Sequence, residues 1–132
     1  MSILTPSNLA ILEKQGIELP SWAFGNSGTR FKVFGTPGTP RDPWEKIADA
    51  AQVNRYTALA PAVALHIPWD VVDSYSDLRT HAEDHGVTLG TVNSNTFQDD
   101  DYKFGALTHE DAAIRRKAID HHLACIDVMD AT

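Results

Sequence analysis

The sequence predicts an α/β fold of about three strand–helix units with parallel strands, preceded by an N-terminal helix. Residues 62–66 and 87–92 are short apolar or β-branched segments with the length of buried strands. Each follows a segment, 42–57 or 76–85, in which apolar residues recur at helical spacing. Because a strand, a helix and a further strand form a right-handed parallel unit almost without exception, we expect a parallel sheet.

The N-terminal part predicts a helix and a first strand. Residues 7–15 have apolar positions at helical spacing and Gly16 as a C-cap, so we expect a short covering helix. Residues 17–24 predict a strand with its core at 21–24, buried on both faces because its apolar residues do not alternate. The loop at 25–42 is long and rich in Gly, Pro and Thr, which is typical of a functional loop, and it lacks a nucleotide-binding glycine pattern.

The next helix has a clear start. Asp42 is a predicted N-cap, Pro43 takes the first helical position, and Glu45 is placed to complete a capping box, so the helix is expected to run to Thr57. The apolar residues that recur at helical spacing, and so predict the packing face, are Trp44, Ile47, Ala48 and Ala51.

The second half of the chain predicts a helix over 76–85 that stops at Gly86, a strand over 87–92, and an acidic loop over 98–107. Three adjacent Asp residues in that loop lack the ligand spacing of a calcium site, so we expect a solvated loop. A capping box at Thr108 predicts a helix that continues to Met129. Its predicted buried stripe comprises Ile119, Leu123, Cys125, Ile126 and Met129.

Composition and charge exclude several classes of protein. A chain of 132 residues with 42% hydrophobic and 22% charged residues is typical of one globular domain, here 1–132. The net charge of −7 and the lack of a basic stripe argue against nucleic acid as a partner, and Arg115-Arg116-Lys117 reads as a solvated helix face. No secretory signal or membrane-spanning run is predicted. With the single cysteine, Cys125, this predicts a reducing compartment and a cytoplasmic protein.

The segment around His66 is the best candidate for chemistry. The strand at 62–66 leads directly into His66, Trp69 and Asp70, and Pro68 ends it by removing a backbone donor. The carboxyl ends of parallel strands are where ligands bind and catalytic side chains collect. Polar residues also follow the next strand, at 93–97. From the residues alone, a core histidine packed on Trp69 remains an equally good interpretation.

Histidine pairs do not predict a metal site. His81 and His85 are one helical turn apart, but the spacing lacks the HExxH pattern and the helix lies outside the sheet. His121 and His122 are adjacent, so their side chains diverge around a helix and are poorly placed to share one ion. Cys125 reads as a small buried hydrophobe.

Five ordered segments resemble the N-terminal third of bacterial L-rhamnose isomerases, and the likeness covers most of the chain from Pro20 onward. They are Pro-Ser-Trp at 20–22, Gly-Thr-Arg-Phe at 28–31, Leu-His-Ile-Pro-Trp-Asp at 65–70, Asn-Ser-Asn-Thr-Phe at 93–97 and Tyr-Lys-Phe-Gly at 102–105. The resemblance implies part of a xylose-isomerase-like (β/α)₈ TIM barrel. It also implies a homotetramer that interconverts aldoses and ketoses with two divalent metal ions, typically manganese.

The resemblance also implies roles for individual residues. His66 corresponds to the histidine at the sugar ring oxygen, which assists ring opening. Trp69 and Phe97 correspond to aromatic walls of the sugar pocket, and Phe31 to a loop aromatic that closes a neighbouring subunit's site. The other residues expected to bind substrate are Trp22 and Asn93.

The family's metal ligands lie on later strands, so the resemblance implies no metal-binding residue in this chain. A closed barrel needs eight strand–helix units and about 250 residues. We therefore expect an N-terminal portion of an isomerase that is inactive alone and exposes barrel-facing apolar surface. Two alternatives stay open: a small non-catalytic α/β module that binds a ligand or partner, and another sugar isomerase or epimerase on the same barrel.

Overall fold

The computed structural model describes residues 5–26 and 32–132 as four α-helices, two short 3₁₀ helices and a three-stranded sheet. The whole predicted motif at 28–31, including Phe31, lies outside the described residues. The α-helices and strands, in chain order, are α1 (Pro6–Leu12), β1 (Glu18–Pro20), α2 (Pro43–Thr57), β2 (Ala62–Ile67), α3 (Tyr75–Asp84), β3 (Thr88–Ser94) and α4 (Ala112–Ala131).

The sheet is parallel throughout, with the strand order β1-β2-β3. In register, Leu19 lies beside Val63, and His66 lies beside Asn93. The central strand β2 is buried along nearly its whole length, as a strand covered on both faces should be. The predicted α/β class with parallel strands is confirmed.

The first strand is shorter than predicted. Only Glu18–Pro20 is extended, and Ser21–Phe24 form a 3₁₀ helix instead of the strand core expected at 21–24. Pro20 has no N–H group to donate to a ladder. Beyond it, the Ser21 hydroxyl donates to the buried Asp70 carboxylate, which holds the chain in a turn. The residues of this turn are therefore fixed by a side-chain hydrogen bond rather than by strand pairing.

The first helix also differs from expectation. It ends at Leu12, well before Gly16, and the Thr5 hydroxyl caps it by accepting from the Asn8 N–H (3.2 Å). All residues of α1 are exposed, so it does not bury a face against the sheet as the covering helix was expected to do.

Helix α2 begins as predicted. The Asp42 carboxylate accepts from the Glu45 N–H (2.9 Å), and Pro43 is the first helical residue. The predicted reciprocal bond of the capping box is wrong, because the Glu45 carboxylate accepts instead from the Arg41 N–H (2.8 Å) and pairs with the Arg41 guanidinium. That ion pair holds the pKa of Glu45 at about 2.

The hydrophobic core lies between β2 and the three helices α2, α3 and α4. Its largest fully buried side chains are Ile47, Leu65, Leu78 and Val63. Leu78 and Ala82 are buried on α3 as predicted, and Gly86 follows that helix with a φ of +77°, a conformation that favours glycine.

Helix α4 starts later and faces a different way than expected. Asp111, not Thr108, is its N-cap, with the carboxylate accepting from the Ala113 N–H (2.8 Å). Its buried residues are Ala118, Cys125 and Val128. Of the predicted stripe only Cys125 is buried; the other members, Ile119, Leu123, Ile126 and Met129, are 41–57% exposed. The small side chains of Ala118 and Cys125 suit the face that packs closest to β3.

The predicted acidic loop is more structured than expected. Residues Asp100–Phe104 form a 3₁₀ helix that buries Tyr102. Lys117 is exposed, as the solvated helix face predicts, and its ammonium group pairs with the exposed Asp99 and Asp101 carboxylates at 2.7 Å each. Of the helices in the described residues, none combines the length and apolarity that crossing a bilayer requires.

Candidate active site

A cleft of about 270 Å³ lies at the carboxyl ends of β2 and β3. Parallel pairing of the two strands places His66 beside Asn93, so the residues that follow each strand meet at one edge of the sheet. The structure thereby brings together every predicted site residue that it describes. The cleft is lined by Trp22, His66, Trp69, Asn93, Ser94 and Phe97.

Aromatic rings surround the His66 imidazole. The Trp69 indole stacks on it, with ring centroids 3.7 Å apart and an interplanar angle of 15°. Trp22 and Phe97 approach it edge-on, at 5.4 and 6.0 Å. His66 is 4% exposed, whereas the three aromatic side chains each keep more than a third of their surface exposed. The rings therefore retain surface with which to contact a ligand while they desolvate the imidazole.

The imidazole is buried without a complete set of hydrogen bonds. Among the described residues, His66 Nδ1 is the buried side-chain nitrogen or oxygen atom that lacks a partner. Burial lowers the pKa of His66 below its ordinary value, while the nearby Asp70 carboxylate opposes that shift. The ring is therefore neutral at pH 7, with one nitrogen that donates a proton and one that accepts.

A buried network of hydrogen bonds around Asp70 contacts the backbone of His66, which lines the cleft. The fully buried Asp70 carboxylate accepts from the Lys46 ammonium (2.6 Å), from the His66 backbone N–H (2.7 Å) and from the Ser21 hydroxyl. Sequence reasoning noted Asp70 but missed its partners. Ser21 and Lys46 are 49 and 24 residues away along the chain, and no local spacing relates them to it.

A second set of hydrogen bonds holds Trp69. Its indole N–H donates to the Gln98 side-chain oxygen (3.2 Å), which also accepts from the Asn95 amide (2.6 Å). The Asn95 backbone N–H in turn donates to Nε2 of His121 (3.0 Å). His121 therefore acts as a hydrogen-bond acceptor that positions the loop after β3, a role that sequence reasoning did not predict.

The structure gives the other histidine pair ordinary structural partners. Nε2 of His81 hydrogen-bonds the Trp44 carbonyl oxygen (3.1 Å), and Nδ1 of His85 hydrogen-bonds the His81 carbonyl oxygen (2.8 Å). Within residues 5–26 and 32–132, no three His, Cys, Asp or Glu side chains are grouped to hold a metal ion. These residues do not fit the metal site that the resemblance implies for its family.

A larger cavity, of about 490 Å³, borders Asn95, Gln98 and His121. Its charged groups already neutralise one another, because Lys117 pairs with Asp99 as well as Asp101. The smaller cleft is instead lined by His66, the residue whose Nδ1 is buried without a partner. An unpaired group of this kind indicates a ligand site better than volume does, since buried polar atoms normally have partners.

The chain is similar to two bacterial proteins named as probable sugar isomerases. It is 43% identical over 118 residues to one from Rhizobium meliloti, an alignment that covers 86% of this chain and 27% of that protein. It is 44% identical over 124 residues to one from Mesorhizobium japonicum, covering 90% of this chain and 29% of that protein. The chain thus spans less than a third of the length of these curated relatives. No family model matches it.

Proposed function

We propose that the cleft binds a monosaccharide and that this chain supplies the sugar-binding and ring-opening part of an aldose–ketose sugar isomerase of the L-rhamnose type. The observation that carries the proposal is the buried, neutral His66 imidazole with an unpaired Nδ1, enclosed by three aromatic rings at the carboxyl edge of a parallel sheet. Similarity to two probable sugar isomerases supports the same class. We further propose that the three strands are part of a (β/α)₈ barrel.

The lining of the cleft favours a sugar over other small molecules. The faces of Trp22, Trp69 and Phe97 are apolar surfaces of the kind that packs on the C–H face of a pyranose. Asn93 adds an amide group that can hydrogen-bond sugar hydroxyls, whereas the Ser94 hydroxyl already hydrogen-bonds Nε2 of His122 at 3.2 Å. L-Rhamnose, a 6-deoxy sugar, also has a methyl group that an aromatic wall can cover. Small-molecule sites are usually largely apolar clefts with a few polar groups.

His66 is suited to the ring-opening step. Opening a pyranose breaks the bond between the anomeric carbon and the ring oxygen, while the ring oxygen gains a proton and the anomeric hydroxyl loses one. A neutral imidazole has a donor nitrogen and an acceptor nitrogen, so it can give the first proton or take the second. Its lowered pKa keeps it in this form at neutral pH.

The proposal stops at ring opening. The hydride shift of the family that the chain resembles would need divalent metal ions, typically manganese, and the described residues do not form a ligand set for them. The tetrameric assembly, and the contact of Phe31 with a neighbouring subunit's site, stay predictions because Phe31 lies outside the described residues.

Mutarotation tests the proposal without requiring the hydride shift. Freshly dissolved α-L-rhamnose is followed by polarimetry as it equilibrates with the other anomer, with and without the purified chain. We expect the chain to accelerate equilibration in a saturable manner, and His66→Gln to remove about 100-fold or more of that acceleration, as loss of a general acid–base group does. His85 is exposed and follows the last residue of α3, so His85→Gln is the matched control and should retain the full rate.

Two outcomes would contradict the proposal. Equal rates for the native chain and His66→Gln would remove His66 from the reaction. Saturable binding of L-rhamnose without any acceleration would favour the alternative of a non-catalytic ligand-binding module.

A further inference from the structure

We propose that Asp70 is a positioning residue for the cleft: its buried carboxylate fixes the His66 backbone and the Trp22 turn relative to each other, so that both rings face one ligand. This inference rests on the proposed function, because it concerns the same cleft. It assigns a role to a side chain that lines no part of the cleft itself.

The contacts of Asp70 join three separate elements. Its Oδ2 atom accepts from the Ser21 hydroxyl, directly before Trp22, and from the His66 N–H at 2.7 Å. Its Oδ1 atom accepts from the Lys46 ammonium of α2 at 2.6 Å. Two walls of the cleft, Trp22 and His66, are thus held through adjacent bonds to one carboxylate oxygen.

Asp70 acts through the backbone of His66 rather than through its ring. The His66 N–H donates to the carboxylate, and the Asp70 N–H donates back to the His66 carbonyl oxygen (2.8 Å), which closes the segment 66–70 on itself. The imidazole Nδ1 remains unpaired. The backbone that carries the ring is therefore fixed in place, while the ring itself makes no hydrogen bond to Asp70.

The ion pair with Lys46 does not by itself account for a carboxylate at this place. A buried ion pair such as Lys46–Asp70 can be replaced by apolar side chains with little loss of stability, because desolvation of both charges offsets their attraction. An apolar residue at position 70, however, would leave the Ser21 hydroxyl and the His66 N–H without an acceptor. The carboxylate is the group that can accept from both while a third donor neutralises it.

Two variants test the positioning role, one at the carboxylate and one at a residue that donates to it. Asp70→Asn removes the carboxylate. Ser21→Ala removes one donor, leaves the Lys46–Asp70 pair in place, and so stays informative if Asp70→Asn does not fold. Asp120→Asn, which removes the carboxylate of an exposed pair with Arg116 on α4, is the matched control. Cooperative urea unfolding of each variant establishes that it is folded.

The readouts are nuclear magnetic resonance signals of His66 and the affinity for L-rhamnose. Because Trp69 stacks on His66 at 3.7 Å, the imidazole protons carry a ring-current shift, and the edge contact with Trp22 gives an inter-ring nuclear Overhauser effect. We expect Asp70→Asn to reduce the ring-current shift and to weaken sugar binding about tenfold or more, since small misplacements of site groups have effects of this size. Ser21→Ala should lose the nuclear Overhauser effect between Trp22 and His66 and should weaken L-rhamnose binding about threefold to tenfold. Asp120→Asn should change neither.

The outcomes separate the two proposals. Folded variants with unchanged His66 signals and unchanged affinity would overturn the positioning role. If the native chain does not bind L-rhamnose, the proposed function fails, whereas the ring-current shift and the inter-ring effect still decide whether Asp70 positions the two rings.

Discussion

Replacing Asp70 with Asn should destabilise the whole chain, because the change leaves the buried ammonium group of Lys46 without its carboxylate. Asp70 is fully buried, and the Lys46 side chain is only 11% exposed, so little water can reach the ammonium group that loses its partner. Asn keeps one oxygen, which can take the place of Oδ2 and accept from the Ser21 hydroxyl and the His66 N–H. Its NH₂ group has no acceptor to meet at the Lys46 ammonium.

The structure sets the size of the effect. Breaking a buried pair by removing one partner costs about 3–5 kcal/mol, because the remaining charge stays desolvated. Domains of this size unfold with about 5–15 kcal/mol, so Asp70→Asn should remove a large part of the total. We expect a loss near 3 kcal/mol, at the low end, because the Lys46 side chain keeps a little access to water.

Urea unfolding monitored by circular dichroism measures the loss as a lower midpoint at an unchanged slope. Asp120→Asn removes one member of an exposed pair, whose side chains are 69% and 54% exposed, and should cost less than about 1 kcal/mol. The double variant Lys46→Met, Asp70→Asn should recover part of the loss because no unpaired charge remains. A loss below about 1 kcal/mol for Asp70→Asn would refute the reasoning.

Three further predictions concern the imidazole, the core and α4. Because burial lowers the pKa of His66 from its ordinary 6.5, the unfolded chain binds that proton more readily, so the His66 contribution to the unfolding free energy is complete above about pH 6.5 and is lost below it. The difference in unfolding free energy between pH 7.5 and pH 5.5, measured with urea, should therefore be smaller for His66→Gln than for the native chain. Identical differences in the two proteins would contradict this. Leu78→Ala, at a fully buried site, should cost about 2–5 kcal/mol in the same assay, against less than about 1 kcal/mol for Leu123→Ala on the exposed face. The half-exposed apolar face of α4 should make the chain self-associate, as measured by sedimentation velocity, and Ile126→Lys should reduce the self-association. A native chain that stays monomeric at all concentrations would rule out this prediction.

The sequence was sufficient for the parts of the fold that local chemistry decides. Asp42 and Pro43 start α2 as expected, and the apolar segments at 62–66 and 87–92 are strands β2 and β3, with ends that differ by one or two residues. The cleft followed from the same reasoning. Once two adjacent parallel strands were expected, His66 and Asn93 had to lie at the same edge of the sheet.

Long-range contacts decided the parts that could not be predicted. The turn at Ser21–Phe24 has the composition of a strand, but the bond from Ser21 to Asp70, 49 residues away, holds it as a 3₁₀ helix. Helix α4 has apolar residues on more than one face, and its pattern does not tell which face packs on β3. Ala118, Cys125 and Val128 lie on the buried side, and the larger apolar residues Ile119, Leu123, Ile126 and Met129 are exposed.

The central claim is that the cleft around His66 binds a monosaccharide. Titration of the native chain with L-rhamnose, followed by the resonances of the His66 ring and the Trp69 indole N–H, tests it most directly. We predict saturable shifts of both signals with one common dissociation constant, while the His85 ring stays unchanged. Absence of shifts at His66 and Trp69, or saturable shifts confined to Lys117 and Tyr102 in the larger cavity, would contradict the claim.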